Sequence, residues 1–150
     1  MQYLIDGHNL IPRLGLSLRS VDDEMQLVAR LQFFCRVKRS KAEVYFDGAP
    51  AGQVRSRAFG LVTAHFVRKA STADAAIRAR LESLARAARN WVVVSSDHEV
   101  QSAARAARAQ VLSSDEFAEL VRNAGEAVSA TSAEHGLSAA EVEEWLKVFK

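Results

Sequence analysis

Short apolar runs that end in an aspartate recur along this chain, and they limit the fold more than any other feature. Tyr3-Leu4-Ile5 leads into Asp6-Gly7-His8-Asn9, Val44-Tyr45-Phe46 into Asp47-Gly48, and Trp91-Val92-Val93-Val94 into Ser95-Ser96-Asp97. Uncharged runs of this length read as buried strands. A carboxylate where such a strand leaves the sheet must be paired, hydrogen-bonded or metal-bound, because burying it alone is costly. Gly7 reads as the residue that lets the chain turn sharply. Asn9 reads as folding back beside Asp6.

Helical patterns separate these strands. Asp22, Asp23 and Glu24 suit a helix N-terminus, and Leu27, Val28, Leu31, Phe34 and Cys35 follow at helical spacing. Residues 49–60, with Pro50, Gly52, Arg55 and Arg57, read as an exposed loop, and 61–67 as a strand. Ser71-Thr72-Ala73-Asp74 opens a helix with a hydroxyl cap, expected to run to about Asn90. Residues 98–108 read as a helix, 109–112 as a fifth strand, and Ser114 as the cap of another helix. Alternating strands and helices imply a three-layer α/β fold with a mainly parallel sheet. The division expected is a domain over 1–124, a flexible linker over 125–137 and a C-terminal helix over 138–150. That helix opens with the capping box Ser138-Ala139-Ala140-Glu141. Its stripe of Val142, Trp145, Leu146 and Phe149 must dock on the body or on a partner. A monomer or a weak dimer follows.

With 150 residues, 49% hydrophobic and 25% charged, the chain can build one ordinary globular core. Its single cysteine, Cys35, rules out an internal disulfide or a thiolate zinc site and reads as a core thiol. No apolar run nears the ~20 residues of a membrane span, and no secretory signal pattern opens the chain. The expectation is a cytoplasmic protein. Net charge is uneven: residues 1–114 carry 17 Lys/Arg against 10 Asp/Glu, residues 115–150 carry 3 against 8. Basic surface around an acidic pocket suits a polyanion held over metal ions.

In a parallel sheet the strand C-termini share one edge, where ligands bind. Strands lie ~4.8 Å apart, so Asp6, Asp47 and Asp97, with Asp74 from a helix start, can share a cation site. Carboxylates without a histidine-rich or thiol partner point to Mg²⁺ or Mn²⁺. Such an ion activates water and stabilises charge on a phosphodiester. Asn9, Ser95 and Ser96 are expected to orient ligands or metal-bound water. Glu99 either reaches the cleft or faces solvent. Individually, Asp47 also suits a turn, Asp74 a helix dipole and Asp97 a cap. Asp115 repeats a Ser-Ser-Asp triplet and reads as first-turn helix chemistry. Arg13, Arg55, Arg57, Arg68 and Lys69 flank loops and strand mouths and are candidate RNA-phosphate contacts.

Leu4-Ile5-Asp6-Gly7-His8-Asn9-Leu10-Ile11, Phe46-Asp47-Gly48, Thr72-Ala73-Asp74-Ala75-Ala76-Ile77 and Val94-Ser95-Ser96-Asp97 together resemble the YacP-like NYN domains of the PIN-like nuclease group. The resemblance implies a five-stranded sheet in the order 3-2-1-4-5 and Mg²⁺- or Mn²⁺-dependent ribonuclease activity. It implies metal positions at Asp6, Asp74 and Asp97, a polar companion at Asn9 and a further acid at Asp47. Some relatives act at the ribosome. His8 stands where a tyrosine is frequent, and reads as filling the turn rather than touching phosphate.

The function expected is an endoribonuclease that prefers single-stranded RNA, in-line water attack leaving a 3′-hydroxyl and a 5′-phosphate as the family chemistry implies. The alternative is a catalytically silent RNA- or ribosome-binding module of the same fold. An aspartyl-phosphate phosphatase ranks below both, because position 8 is histidine where a second acid is usual. A dinucleotide-binding domain ranks last, since no Gly-x-Gly-x-x-Gly follows the first strand.

Overall fold

A computed structural model describes residues 1–16, 21–49, 54–68 and 71–135. In chain order its elements are β1 (Gln2–Asp6), α1 (Gly7–Leu10), a 3₁₀ turn (Ile11–Leu14), α2 (Val21–Lys38), β2 (Lys41–Ala49), β3 (Ser56–Phe59), β4 (Val62–Arg68), α3 (Ala73–Leu84), a second 3₁₀ turn (Ala85–Asn90), β5 (Trp91–Val94), α4 (His98–Ala106), β6 (Gln110–Leu112) and α5 (Ser114–His135). The sheet order is β3-β4-β2-β1-β5-β6. Every pairing is parallel except β3 with β4. The five parallel strands have the expected 3-2-1-4-5 order.

The sixth strand corrects the loop expected over 49–60. Ser56, Arg57, Ala58 and Phe59 pair antiparallel with β4 at the sheet's edge. An edge strand needs no apolar alternation, and exposed charge on it discourages pairing with another chain. That is why its sequence reads as loop. The helix expected to reach Asn90 ends as an α-helix at Leu84 and continues as 3₁₀ turn. The linker expected over 125–137 is helical as far as His135, because the alanines through this stretch favour helix despite Gly125. The helix expected over 138–150 lies outside the described residues.

Side-chain alternation divides the core into two layers. Ile5, Val44, Phe46, Val62, Ala64, Val92 and Val94 pack with Leu27, Leu31 and Phe34 of α2 and Phe117 and Val121 of α5. Leu4, Tyr45, Trp91 and Val93 pack on the other face with Ile77 and Leu81 of α3 and Val100 and Ala104 of α4. Tyr3, Phe34 and Phe117 meet ring to ring at centroid distances of 5.1–5.6 Å. Cys35 is fully buried in the first layer, as expected of a core thiol, and burial raises its thiol to about 11.

Gly7 serves packing rather than a turn. It opens α1 and is absent from the glycines with positive φ. A Cβ there would lie 2.4 Å from the Phe46 ring. Gly48 is the glycine that needs its conformational freedom, with φ at +77° where the β2–β4 register shifts between Phe46 and Ala49. Asp47 therefore sits on a bulge inside β2 rather than at its end.

Candidate functional site

β1, β5 and α3 bring acids to the C-terminal edge of the sheet. Asp6 pairs in register with Tyr45 and by alternation shares the face of Leu4, toward α3. Its carboxyl is pushed up to about 6, first by burial and further by the negative charges of Asp47 and Asp97. The Asn9 backbone N–H and His8 pull it partway back, although that N–H closes no capping hydrogen bond. This is a carboxylate short of compensating positive charge.

His8 does more than fill the turn. Its Nδ1 lies 2.7 Å from Asp47 Oδ1 and its Nε2 2.8 Å from Glu24 Oε2. Carboxylates only accept, so both ring nitrogens donate and the ring is an imidazolium. The Glu24 hydrogen bond is the main cause, and with Asp47 it outweighs desolvation and lifts the ring to about 9. The charged imidazolium ties Asp47 on β2 to Glu24 on α2. It also engages the Asp47 carboxylate that was expected to face the cation.

Asn9 and the serines tie strand mouths together. Asn9 Oδ1 accepts from the Ser96 N–H at 3.2 Å and from the Ser114 hydroxyl. Ser96 Oγ accepts from the Ser114 N–H at 3.1 Å. Ser95 Oγ is buried and accepts from the Asp97 N–H at 3.1 Å. These bonds fix the backbone that carries Asp97. Asp97 is exposed and caps α4, its Oδ1 accepting from the Glu99 N–H at 2.8 Å. Glu99 takes the solvent-facing alternative.

Asp74 stands in the first turn of α3, behind a Thr72 cap whose Oγ1 accepts from the Ala75 N–H at 3.0 Å. Arg78 Nε lies 3.3 Å from Asp74 Oδ1, too poorly aligned for a hydrogen bond. That buried oxygen is left without a hydrogen-bond partner.

The acids share one edge, yet among the described residues no three Asp, Glu, His or Cys groups come together to hold one ion. Each acid already serves a nearer group: Asp47 binds His8, Asp97 caps α4, and Asp74 lies against Arg78. The donors still fit a hard cation that binds through one or two carboxylates and keeps its waters. They are all oxygen, Asp6 lacks compensating charge, and Asp74 has an orphaned oxygen.

The expected RNA contacts divide. Arg13 is committed within the fold, donating to the Asn9 carbonyl at 2.8 Å and lying 3.4 Å from Asp115. Arg55, Arg57 and Arg68 are exposed around β3 and the end of β4, and Arg57 lies over the Phe59 ring at 5.2 Å. Lys69 lies outside the described residues. Sequence reasoning missed the parts played by Glu24 and Ser114. Each suited a helix start, and no local signal links either to the strand mouths.

Two solved structures share this architecture. They are crystal structures of Rae1 (YacP) from Bacillus subtilis and of its W164L mutant, each 23% identical to this chain. Each match covers 99% of this chain and 92% of the other, with TM-scores of 0.73 and 0.72 respectively. At that identity the likeness is one of fold. No curated protein sequence matches the chain. The family model of the YacP-like NYN domain matches residues 3–147. The chain therefore belongs to the YacP-like NYN domain family, a PIN-like, nuclease-type group.

Proposed function

We propose that this domain is a metal-dependent endoribonuclease that hydrolyses RNA phosphodiesters at the acidic edge of its sheet. One observation carries the reading: Asp6 ends β1 at the sheet edge where Asp97 follows β5 and where Asp74, in the first turn of α3, has a buried carboxylate oxygen without a hydrogen-bond partner. A site built this way gains most when a cation enters it. Asp6, Asp97 and Asp74 are the residues that would hold Mg²⁺ or Mn²⁺. When bound, such an ion polarises water and offsets charge on the phosphodiester. Asn9, Ser95 and Ser96 hold the Asp97 loop against β1. His8 keeps Asp47 paired, which limits negative charge around Asp6. Arg55, Arg57 and Arg68 are exposed cations that could meet the RNA backbone.

The test is cleavage of a generic single-stranded RNA with Mn²⁺, Mg²⁺ or EDTA, for wild type and for Asp6→Asn and Asp97→Asn proteins shown to be folded. Cutting should require the metal. Loss of an outer partner of a metal site already costs 10–100-fold, so each substitution should cost on the order of 100-fold or more. Wild-type rates in either variant would overturn the reading. Salt-sensitive RNA binding without turnover in either metal would favour the silent binding module. The observation favouring that second reading is that no three described acids, histidines or cysteines converge.

A further inference from the structure

Resting on the reading that this domain acts on RNA, we infer that an arginine-lined cavity at the N-terminal edge of the sheet is a second binding site for it, one that takes the phosphate backbone. The cavity has a volume of about 560 Å³ and is lined by Ala85, Arg86, Arg89, Ala106, Ala107 and Arg108. Arg89 lies two residues before β5 and Arg108 two before β6, so the cavity opens on the edge opposite Asp6 and Asp97. The nine residues of α4 separate the edges by roughly 14 Å, at ~1.5 Å per residue.

Another cavity of about 560 Å³ at this edge, beside β2, is also lined by cations, Arg36, Arg39 and Lys41, but it adds Met1 and Leu61 where this one has only alanines between its arginines. No carboxylate lines the arginine-and-alanine cavity; Glu82 lines an adjoining cavity that shares Ala85, Ala106 and Ala107. Arg86, Arg89 and Arg108 are exposed, and none pairs with an acid among the described residues. Arg13, Arg78 and Arg80 each face a carboxylate, whereas Arg39, Arg55, Arg57 and Arg68 share the unpaired state among the described residues without being grouped three to a cavity. Cations are favoured in the last turn of a helix, and Arg105 fills that place in α4. Arg108 lies two residues beyond the end of α4, while Arg89 stands in the last turn of the 3₁₀ segment.

The backbone supplies an independent observation. Arg108 has φ at +65°, the left-handed conformation that glycine adopts most easily after a helix. Its neighbours close the turn, with the Ala109 N–H donating to the Ala104 carbonyl at 2.9 Å. Glycine would serve the turn better, and Arg39 takes the same conformation after α2 at φ +50°, so the chain twice sets an arginine there, each time beside a basic cavity. Across the cavity Ala85, at φ +49° and ψ −122°, breaks α3 and begins the 3₁₀ turn that carries Arg86 and Arg89. One wall is thus Arg108, itself in the left-handed conformation, and the other is Arg86 and Arg89 after Ala85, with Arg89 Nε donating to the Arg86 carbonyl at 3.5 Å, around alanines too small to block a sugar-phosphate chain. Three spread charges in an open cavity suit a chain of phosphates better than one anion. Arginine is the cation whose planar fork matches phosphate oxygens.

The site is argued without the metal and is tested without it. Binding of a 30-nucleotide single-stranded RNA is followed by fluorescence anisotropy in EDTA across a salt series. The variants compared are Arg86→Ala/Arg89→Ala/Arg108→Gly, the same three positions changed to Lys, and Lys38→Ala/Arg39→Gly/Lys41→Ala. The last set removes equal charge beside β2, and Arg39 has φ at +50° and so also tolerates glycine. Three lost phosphate contacts should reduce the slope of log affinity against log salt by about 2, at ~0.7 per contact for single strands. Affinity at low salt should fall at least tenfold. The lysine set should keep most of the slope and affinity, and the β2-side set should change them less than the cavity set. Thermal stability of the cavity set should hold, since glycine suits position 108. Wild-type slope and affinity in the cavity set would overturn the inference. So would equal losses in the β2-side set, or a lysine set that behaves like the alanine one. Failure here would leave cleavage at the acidic edge untouched, and failure of cleavage would leave this binding test intact.

Discussion

Asp6 and His8 are two positions apart, and each has its pKa raised for a different reason. Asp6 is raised to about 6, above its ordinary 3.8, by burial and like charge. A folded-state value above the unfolded one means stability that is complete below about 3.8 and lost as pH rises through about 6. At neutral pH the ionised Asp6 therefore works against the fold. Two pH units correspond to at most ~3 kcal/mol, and solvent screening brings that nearer ~1–2 kcal/mol. Asp6→Asn should accordingly be more stable than wild type by about 1–2 kcal/mol at pH 8, with the gap closing at pH 4. Urea unfolding at the two pH values checks it; a gap that is absent at pH 8, or equal at both, would contradict this account of Asp6. His8 has the same sign in a different window. Its contribution is complete below about 6.5 and is lost as pH rises through about 9, so deprotonation of the ring weakens the Asp47–Glu24 link in alkaline solution.

Elements are joined by a second charged group, on the α3 side of the sheet. Glu43 of β2 receives Arg80 of α3 through Nε at 3.1 Å and Nη2 at 3.0 Å, and the Tyr45 hydroxyl at 2.8 Å. His65 Nε2 of β4 lies 3.3 Å away without good alignment. Burial alone would raise the Glu43 carboxyl, but His65, Arg80 and Tyr45 outweigh it and hold it down to about 2. Arg80 also lies over the Trp91 ring at 5.4 Å, so one carboxylate fixes how α3 sits on β2, β4 and β5. Removing one partner of such a pair costs more than the pair is worth, because the other is stranded. Glu43→Gln should lose roughly 2–3 kcal/mol at pH 7. Its folded value is depressed, so the stability is present above about 4.5 and is lost as pH falls toward 2. The gap to wild type should narrow over that acid range in denaturant titrations; a constant gap would mean lost packing rather than lost charge. None of this was legible in the sequence, where Glu43, His65 and Arg80 carry no shared pattern. The elements themselves were legible, because apolar runs and caps are local. β1, β2, β4, β5 and β6 lie where their runs predicted. β3 escaped because an exposed edge strand has no buried face to imprint on its sequence. The end of α3 escaped because Ala85 is a good helix former held in a non-helical conformation.

At the scale of the whole molecule, the half of the sheet made by β1, β5 and β6 carries opposite charge at its two edges. Acids gather where β1 and β5 end, and unpaired arginines where β5 and β6 begin. The acids at the strand mouths were legible because an aspartate after an apolar run is conspicuous. The local cap made by Asp97 was legible too, but the long-range ties were not, since His8 meets Asp47 thirty-nine positions away and Asn9 meets Ser114 one hundred and five away. His8 holds Asp47, the α4 cap holds Asp97 and Asp74 lies against Arg78, so the four acids line one edge without closing on one point. The arrangement makes the stability of the whole fold a reporter for the proposed ion. Unbound, Asp6 is destabilising at pH 8; a cation beside it would turn that cost into binding energy. A ligand at ten times its Kd stabilises the folded state by ~1.4 kcal/mol. For a chain of this length that is a rise in Tm of about 3–6 °C. Wild type at pH 8 should show such a rise when Mn²⁺ is added and lose it again with EDTA. Asp6→Asn should start from a higher Tm in EDTA and gain less than about 1 °C from Mn²⁺, so the order of the two proteins narrows or reverses with metal. Equal shifts in both would place the ion away from Asp6. No shift in wild type at millimolar Mn²⁺ would leave the acidic edge as a set of caps and ion pairs, the condition expected of a silent binding module.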